Sequence, residues 1–127
     1  MGDPSGIGPE VLLKALSDPD VMRAARWIVT GDKHVLGIAE RITGLRLENA
    51  ELRSVTALDT GGGFSFGRLD ARYGEAAVEY VRAAVMLCLD GEADAMVTPP
   101  LNKEAVALSG RPFSGHTEYI AELCGAH

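Results

Sequence analysis

The chain has 127 residues, of which 46% are hydrophobic, and it carries a formal net charge of −6 with a pI near 5.0. This length predicts one domain with enough apolar residues for a core, and the acidic balance argues against nucleic acid as a partner. No apolar run reaches the roughly 18 residues of a membrane span, and no signal peptide is recognisable. We therefore expect a cytoplasmic protein that has no membrane partner.

The first ten residues read MGDPSGIGPE and lead into an apolar-periodic helix, Val11 to Leu16. One interpretation is a tight turn that caps this helix and uses glycine where φ is positive. The alternative is a loop whose backbone approaches a ligand, with Asp3 as a polar contact. It is not a Walker A loop, because no Lys-Ser/Thr pair follows. The residues alone leave both interpretations open.

Predicted helices and strands alternate after this loop, which favours an α/β fold with a largely parallel sheet. The predicted strands are Trp27 to Thr30, one or two within Leu45 to Leu58, and Ala95 to Thr98. The predicted helices include Val21 to Ala25, Lys33 to Thr43 closed by Gly44, and the longest one, from Asp70 or Ala71 to Asp90.

Polar residues collect where the strand Ala95 to Thr98 ends at two prolines, before a helix that begins at Asn102 or Lys103. Ligands bind at the carboxyl ends of strands in open α/β sheets. Thr98, Asn102 and Lys103 are therefore candidate ligand contacts. Lys103 could supply a point charge for a phosphate or carboxylate, or it could be a solvated surface lysine.

A second loop, Gly110 to Gly115, delivers His116 and Thr117 to the start of another helix. The free N–H groups of a helix start favour an anion. His116 could be a general acid or base, an anion donor or a helix-capping residue, whereas Glu118 suits the positive helix end better than catalysis. We expect the two loops to face one pocket. Spacing alone thus predicts an anion-binding α/β domain and names no reaction.

The cysteines and histidines form no recognisable metal or disulfide pattern. Cys88 and Cys124 lie in apolar helical runs without a CxxC spacing, which predicts reduced core cysteines. His34, His116 and His127 share no ligand spacing such as HxxxH. No metal site is predicted from these residues.

Four segments together resemble the 4-hydroxythreonine-4-phosphate dehydrogenase family of pyridoxal 5′-phosphate (vitamin B6) biosynthesis. They are GDPSGIGPE at Gly2 to Glu10, TGD at Thr30 to Asp32, DGEADAMVTPPLNKEA at Asp90 to Ala105, and FSGHTEYIAELCG at Phe113 to Gly125. The resemblance implies a three-layer α/β/α fold like that of isocitrate and isopropylmalate dehydrogenases, incomplete in this chain, and a homodimer. It also implies NAD(P) and a divalent metal (Zn, Mg or Co), used to oxidise 4-phosphooxy-threonine before a decarboxylation.

The resemblance also assigns individual residues. The family's substrate-binding His and Thr of its GHTE motif fall on His116 and Thr117. The family's metal-binding histidines and its later Lys, Asn and Arg substrate contacts come from segments without a counterpart here, so His127 is not assigned as a metal ligand. Residues 1–127 would then form a single partial domain, an N-terminal portion whose leading strand is missing and which is inactive in isolation.

Two other functions are compatible with the resemblance or with the absence of the family's metal-binding segments from this chain. A dehydrogenase with this fold could act on another acid, such as a phosphorylated threonate or erythronate, or on a dihydrodiol carboxylate. Alternatively, the chain could be an anion-binding or dimerisation module without catalysis, because the family's metal ligands have no counterpart in it.

Overall fold

The computed structural model describes residues 1–126, in which helices pack around a two-stranded sheet. The helices are α1 (Gly8–Leu16), α2 (Pro19–Ala24), α3 (Lys33–Thr43), α4 (Ala71–Leu89), α5 (Lys103–Leu108) and α6 (His116–Leu123). Strand β1 (Ile28–Gly31) pairs in parallel with β2 (Glu51–Ser54), so that Ile28 lies beside Glu51. Because α3 connects these two strands, the chain contains the β-α-β unit of an α/β fold.

Local capping residues determine where most of these helices begin. Helices α2, α3, α4 and α5 each follow an Asp or Asn whose side chain accepts hydrogen bonds from first-turn N–H groups: Asp18, Asp32, Asp70 and Asn102. Such a cap stabilises a helix by about 1 kcal/mol. Gly44 ends α3 with φ 71°, a left-handed conformation that glycine adopts without a steric penalty. These capping signals explain why the predicted bounds of α3 and the predicted start of α4 are confirmed.

The strand predictions succeed only in part. The first strand is confirmed, shifted by one residue, and a single strand of four residues lies within Leu45 to Leu58. The prediction of a strand from Ala95 to Thr98 is wrong, because this segment forms no ladder with another strand in residues 1–126. An open groove of about 910 Å³ is lined both by β1 and by this segment, and 77% of Val97 is exposed. An extended segment without a neighbour to bond is not a strand.

The main core is formed by α1, α3 and α4 together with Met1. Its buried members are Met1, Leu13, Val35, Leu36, Ala39, Ala76 and Tyr80. Helix α4 also packs closely against α5, with Gly74 facing the backbone of Ala105 and Val106. This contact fixes the position of α5, the helix that carries Lys103.

Asp32 ties the first strand to the segment after the second. Its side chain is fully buried, and its Oδ1 atom caps α3. Its Oδ2 atom accepts hydrogen bonds from the Thr56 hydroxyl at 2.8 Å and from the Leu58 backbone N–H at 2.7 Å. The Thr56 hydroxyl is also 2.8 Å from the Tyr80 hydroxyl on α4. Since a buried carboxylate is tolerated only when it is fully hydrogen-bonded, this network is structural.

The predicted core location of the cysteines is wrong for one of them. Cys88 is half-buried in α4, but Cys124 is exposed just past the end of α6, where the helix terminus faces solvent. Both are free thiols. None of the helices in residues 1–126 combines the length and apolar character needed to cross a membrane.

Candidate functional site

The glycine loop packs directly on the loop that follows residue 98. The backbone N–H of Asp3 donates to the Pro100 carbonyl at 3.0 Å. Gly2 has φ +72°, and a Cβ on it would overlap the Pro100 carbonyl oxygen. A Cβ on Gly8 would likewise overlap the Met1 carbonyl oxygen. Glycine is thus required here for contact with the protein's own backbone. This geometry supports the interpretation as a tight turn.

Asp3 and Ser5 are buried within the same loop. Asp3 is 8% exposed, accepts a hydrogen bond from the Ser5 N–H at 2.8 Å, and burial raises the pKa of its carboxyl group. The Ser5 hydroxyl lies 2.9 Å from the carbonyl oxygens of Ser65 and Arg68 and accepts from the Arg68 N–H. Asp3 therefore has a protein partner, and its contact with a ligand stays a prediction.

The loops before α5 and α6 meet at Lys103. Its ammonium donates to the Ser114 carbonyl at 3.0 Å, which brings the loop before α6 against the start of α5. Asn102 uses its side-chain oxygen to cap α5, so only its amide nitrogen remains for a ligand. Thr98, Asn102 and Lys103 are all exposed. Sequence reasoning missed Ser114, because a backbone acceptor carries no residue-type signal.

Helix α6 begins at His116, as predicted, and its first turn lacks a side-chain cap. Gly115 is the N-cap residue and is buried, whereas Thr117 is exposed. Glu118 folds back over this helix start, with Oε2 2.8 Å from the position that a Cβ on Gly115 would take. The uncapped N–H groups and the Thr117 hydroxyl are donors that an anion could use.

The His116 ring is half-buried, and its Nε2 atom is covered without a hydrogen-bond partner in residues 1–126. Phe113 contacts the ring edge to face, with centroids 5.8 Å apart. Burial lowers the pKa of His116, and the positive charge of Lys103 lowers it further. The lowered pKa favours the neutral imidazole, which has one N–H donor and one acceptor nitrogen.

A groove of about 910 Å³ lies apart from His116. It is the groove beside β1, lined mainly by apolar side chains, and Thr98 is the one predicted site residue that reaches it. Asn102, Lys103 and Thr117 are instead exposed near the point where the two loops meet, and His116 is half-buried there. The pocket that we expect the two loops to face is therefore not this groove, and it stays a prediction.

The described residues do not bring metal ligands together. No group of three or more His, Cys, Asp or Glu side chains that could hold a metal occurs in the part of the chain that the structure describes. His34 lies on α3, where its Nδ1 is 3.8 Å from Asp32 Oδ1. His127 lies outside the described residues.

Known proteins match this chain over almost its whole length. The sequence model of the family described as "Pyridoxal phosphate biosynthetic protein PdxA" matches residues 16–127. The chain belongs to this PdxA family. It is 42% identical to the D-threonate 4-phosphate dehydrogenase of Cupriavidus necator, covering 98% of this chain and 41% of that protein. It is 35% identical to the 4-hydroxythreonine-4-phosphate dehydrogenase of Geobacter metallireducens. This match covers 99% of this chain and 41% of that protein.

A solved PdxA-type structure has the same fold. The crystal structure of a 4-hydroxythreonine-4-phosphate dehydrogenase from Burkholderia phymatum superposes with a TM-score of 0.84 at 36% identity, covering 100% of this chain and 42% of that one. This match confirms the α/β fold class. The chain spans about two fifths of the length of these PdxA relatives, and the predicted contacts Thr98 to Thr117 fall inside the matched region.

Proposed function

We propose that this chain forms the phosphate-binding part of an NAD(P)-dependent oxidoreductase that oxidises 4-phosphooxy-threonine, with decarboxylation following, in pyridoxal 5′-phosphate biosynthesis. The observation that carries the proposal is the uncapped start of α6, where Thr117 is exposed, His116 has an unsatisfied Nε2, and the nearby positive charge of Lys103 lowers the pKa of His116. Family membership supports the substrate class, because the relatives are named as dehydrogenases of small phosphorylated acids.

Each group at this site has a defined role toward a phosphate. The free N–H groups of α6 and the Thr117 hydroxyl donate hydrogen bonds to phosphate oxygens, and the neutral His116 donates through its single N–H. Lys103 supplies a positive charge nearby. These donors act locally, because the net charge of the whole chain is −6 and repels anions at long range.

The proposed cofactors do not fit the residues described here. A divalent metal (Zn, Mg or Co) needs several converging ligands, and residues 1–126 contain no such group. The glycine loop packs against Pro100 and Met1, so it offers no cradle for the pyrophosphate of NAD(P). We therefore propose that residues other than 1–126 hold both cofactors.

A homodimer in the cytoplasm is part of the same proposal. Large apolar side chains are exposed on several elements, among them Ile7, Ile42, Val97 and Leu108. Of these, Val97 lines the apolar groove beside β1, together with the exposed Val11. A large apolar surface favours association with further protein. The second copy of the chain is the partner that the family resemblance implies.

D-threonate 4-phosphate is the second candidate substrate. The relative that carries this name is 42% identical to the chain, against 35% for the Geobacter metallireducens enzyme named for 4-hydroxythreonine 4-phosphate. Both acids carry a phosphate, so the site at α6 would bind either of them in the same way.

Calorimetric titration of this chain tests the proposal. We expect 4-phosphooxy-threonine and D-threonate 4-phosphate to bind, and phosphate-free threonate, the matched control, to bind about tenfold or more weakly because it lacks the charged acceptor. With NAD and Zn²⁺ or Mg²⁺ added, no NADH should form above a blank. Equal binding of threonate, or no binding of either phosphorylated acid, would contradict the proposal.

A further inference from the structure

Lys103 contacts the loop that leads into the proposed site. It is the first residue of α5, and its Nζ atom donates to the carbonyl of Ser114 at 3.0 Å. The same Nζ lies 3.6 Å from the position that a Cβ on Gly115 would take. The ammonium therefore lies against the two residues that immediately precede His116.

The helix that carries Lys103 is held by buried contacts, whereas the loop it contacts has few hydrogen bonds. Ala105 and Val106 of α5 are buried against α4, and Asn102 caps the start of α5. In the described part of the chain, the bond from Lys103 is the one hydrogen bond to residues 112–114. A rigid element is thus linked to a loop that makes few other hydrogen bonds.

We propose that Lys103 is a positioning residue: its ammonium holds the Ser114 carbonyl and so fixes the loop that delivers His116 and Thr117 to the start of α6. This inference rests on the proposed function, in which those two residues bind the substrate phosphate. It assigns Lys103 a role that acts through the protein's own backbone, in addition to any direct attraction of an anion.

The charges around the loop are consistent with this role. Lys103 and Glu118 both face Gly115, and Arg111 pairs with Glu79 of α4 at the start of the loop. After burial, the positive charge of Lys103 is the second cause that lowers the pKa of His116. Removal of Lys103 should therefore change both the mobility of the loop and the titration of the imidazole.

The chain offers a matched control for a substitution of Lys103. Lys33 is likewise the first residue of a helix and follows a capping side chain, Asp32. No hydrogen bond or ion pair of the Lys33 ammonium occurs within residues 1–126. Lys33→Met thus removes the same charge from the same helix position without removing a contact.

The test compares Lys103→Met, Lys103→Arg and Lys33→Met by NMR. In Lys103→Met we expect the pKa of His116 to rise and the Tyr119 amide, which bonds to Gly115, to exchange about tenfold faster as a charge-assisted bond is lost. The Cys124 amide at the far end of α6 should exchange as in the wild type. In Lys103→Arg, the His116 pKa and the Tyr119 exchange rate should return most of the way to their wild-type values. Lys33→Met should change neither quantity.

Three outcomes separate this inference from the function on which it rests. Unchanged His116 titration and Tyr119 exchange in Lys103→Met would overturn the positioning role. If binding of D-threonate 4-phosphate fell while both readouts stayed constant, Lys103 would be a direct ligand contact instead, which also overturns it. If both readouts changed but the wild type bound no phosphorylated acid, positioning would stand and the proposed function would fail.

Discussion

Replacement of Gly74 by alanine is expected to lower the free energy of unfolding by about 3 kcal/mol or more, the upper end of the range for overpacked cores. A Cβ at this position would overlap the backbone of Ala105 and Val106, and a backbone cannot rotate aside as a flexible side chain can. Helix α5 would have to move away from α4. Urea denaturation followed by circular dichroism measures the change.

Gly37→Ala is the matched control for this prediction. Gly37 also lies inside a helix, α3, but a Cβ there has no neighbour within 4 Å. We expect this substitution to raise the stability by about 0.5–1 kcal/mol, because alanine has the higher helix propensity. A Gly74→Ala variant as stable as the wild type would show that α4 and α5 do not pack as described.

Substitution of His116 by alanine is expected to weaken binding of the phosphorylated acid by roughly ten- to a hundredfold. A hydrogen bond to a charged group contributes about 1.5–3 kcal/mol, and 1.4 kcal/mol corresponds to a factor of ten in affinity. The side chain packs edge to face on Phe113 but makes no hydrogen bond through Nε2 within the described residues. The fold should therefore survive, and calorimetry with D-threonate 4-phosphate measures the loss.

His34→Ala provides the corresponding control. His34 lies on α3 with its side chain 45% exposed, and it belongs to neither loop of the proposed site. Its removal should leave the affinity for the phosphorylated acid unchanged. If His116→Ala bound as tightly as the wild type, or if His34→Ala bound as weakly as His116→Ala, the assignment of His116 would be wrong.

Features fixed by neighbouring residues were predictable from the sequence. The start of α3 depends on Asp32 and its end on Gly44, and both signals lie within one helical turn of the boundary. The start of α6 at His116 is likewise marked by an adjacent residue, the N-cap glycine Gly115. The candidate anion site could be located because it coincides with this helix start.

Features that depend on distant residues were not predictable. Ala95 to Thr98 has the composition of a strand, but a strand also needs a neighbour to bond, and none lies beside it in residues 1–126. The bond from Lys103 to Ser114 joins a side chain to a carbonyl group, which every residue possesses. Cys124 occupies an apolar run whose last turn happens to face solvent. Periodicity does not encode any of these three relations.

The contacts of the first residues have a consequence for the order of folding. Met1 bonds to Thr30, Asp3 bonds to Pro100, and Ser5 bonds to Arg68 across 63 residues. Closure of such long loops costs entropy before any contact compensates for it, so this segment should dock late. During synthesis it must wait until Pro100 has been translated. A Ser5→Ala variant should accordingly unfold faster than the wild type in stopped-flow experiments but refold at the same rate, whereas slower refolding would place this docking early.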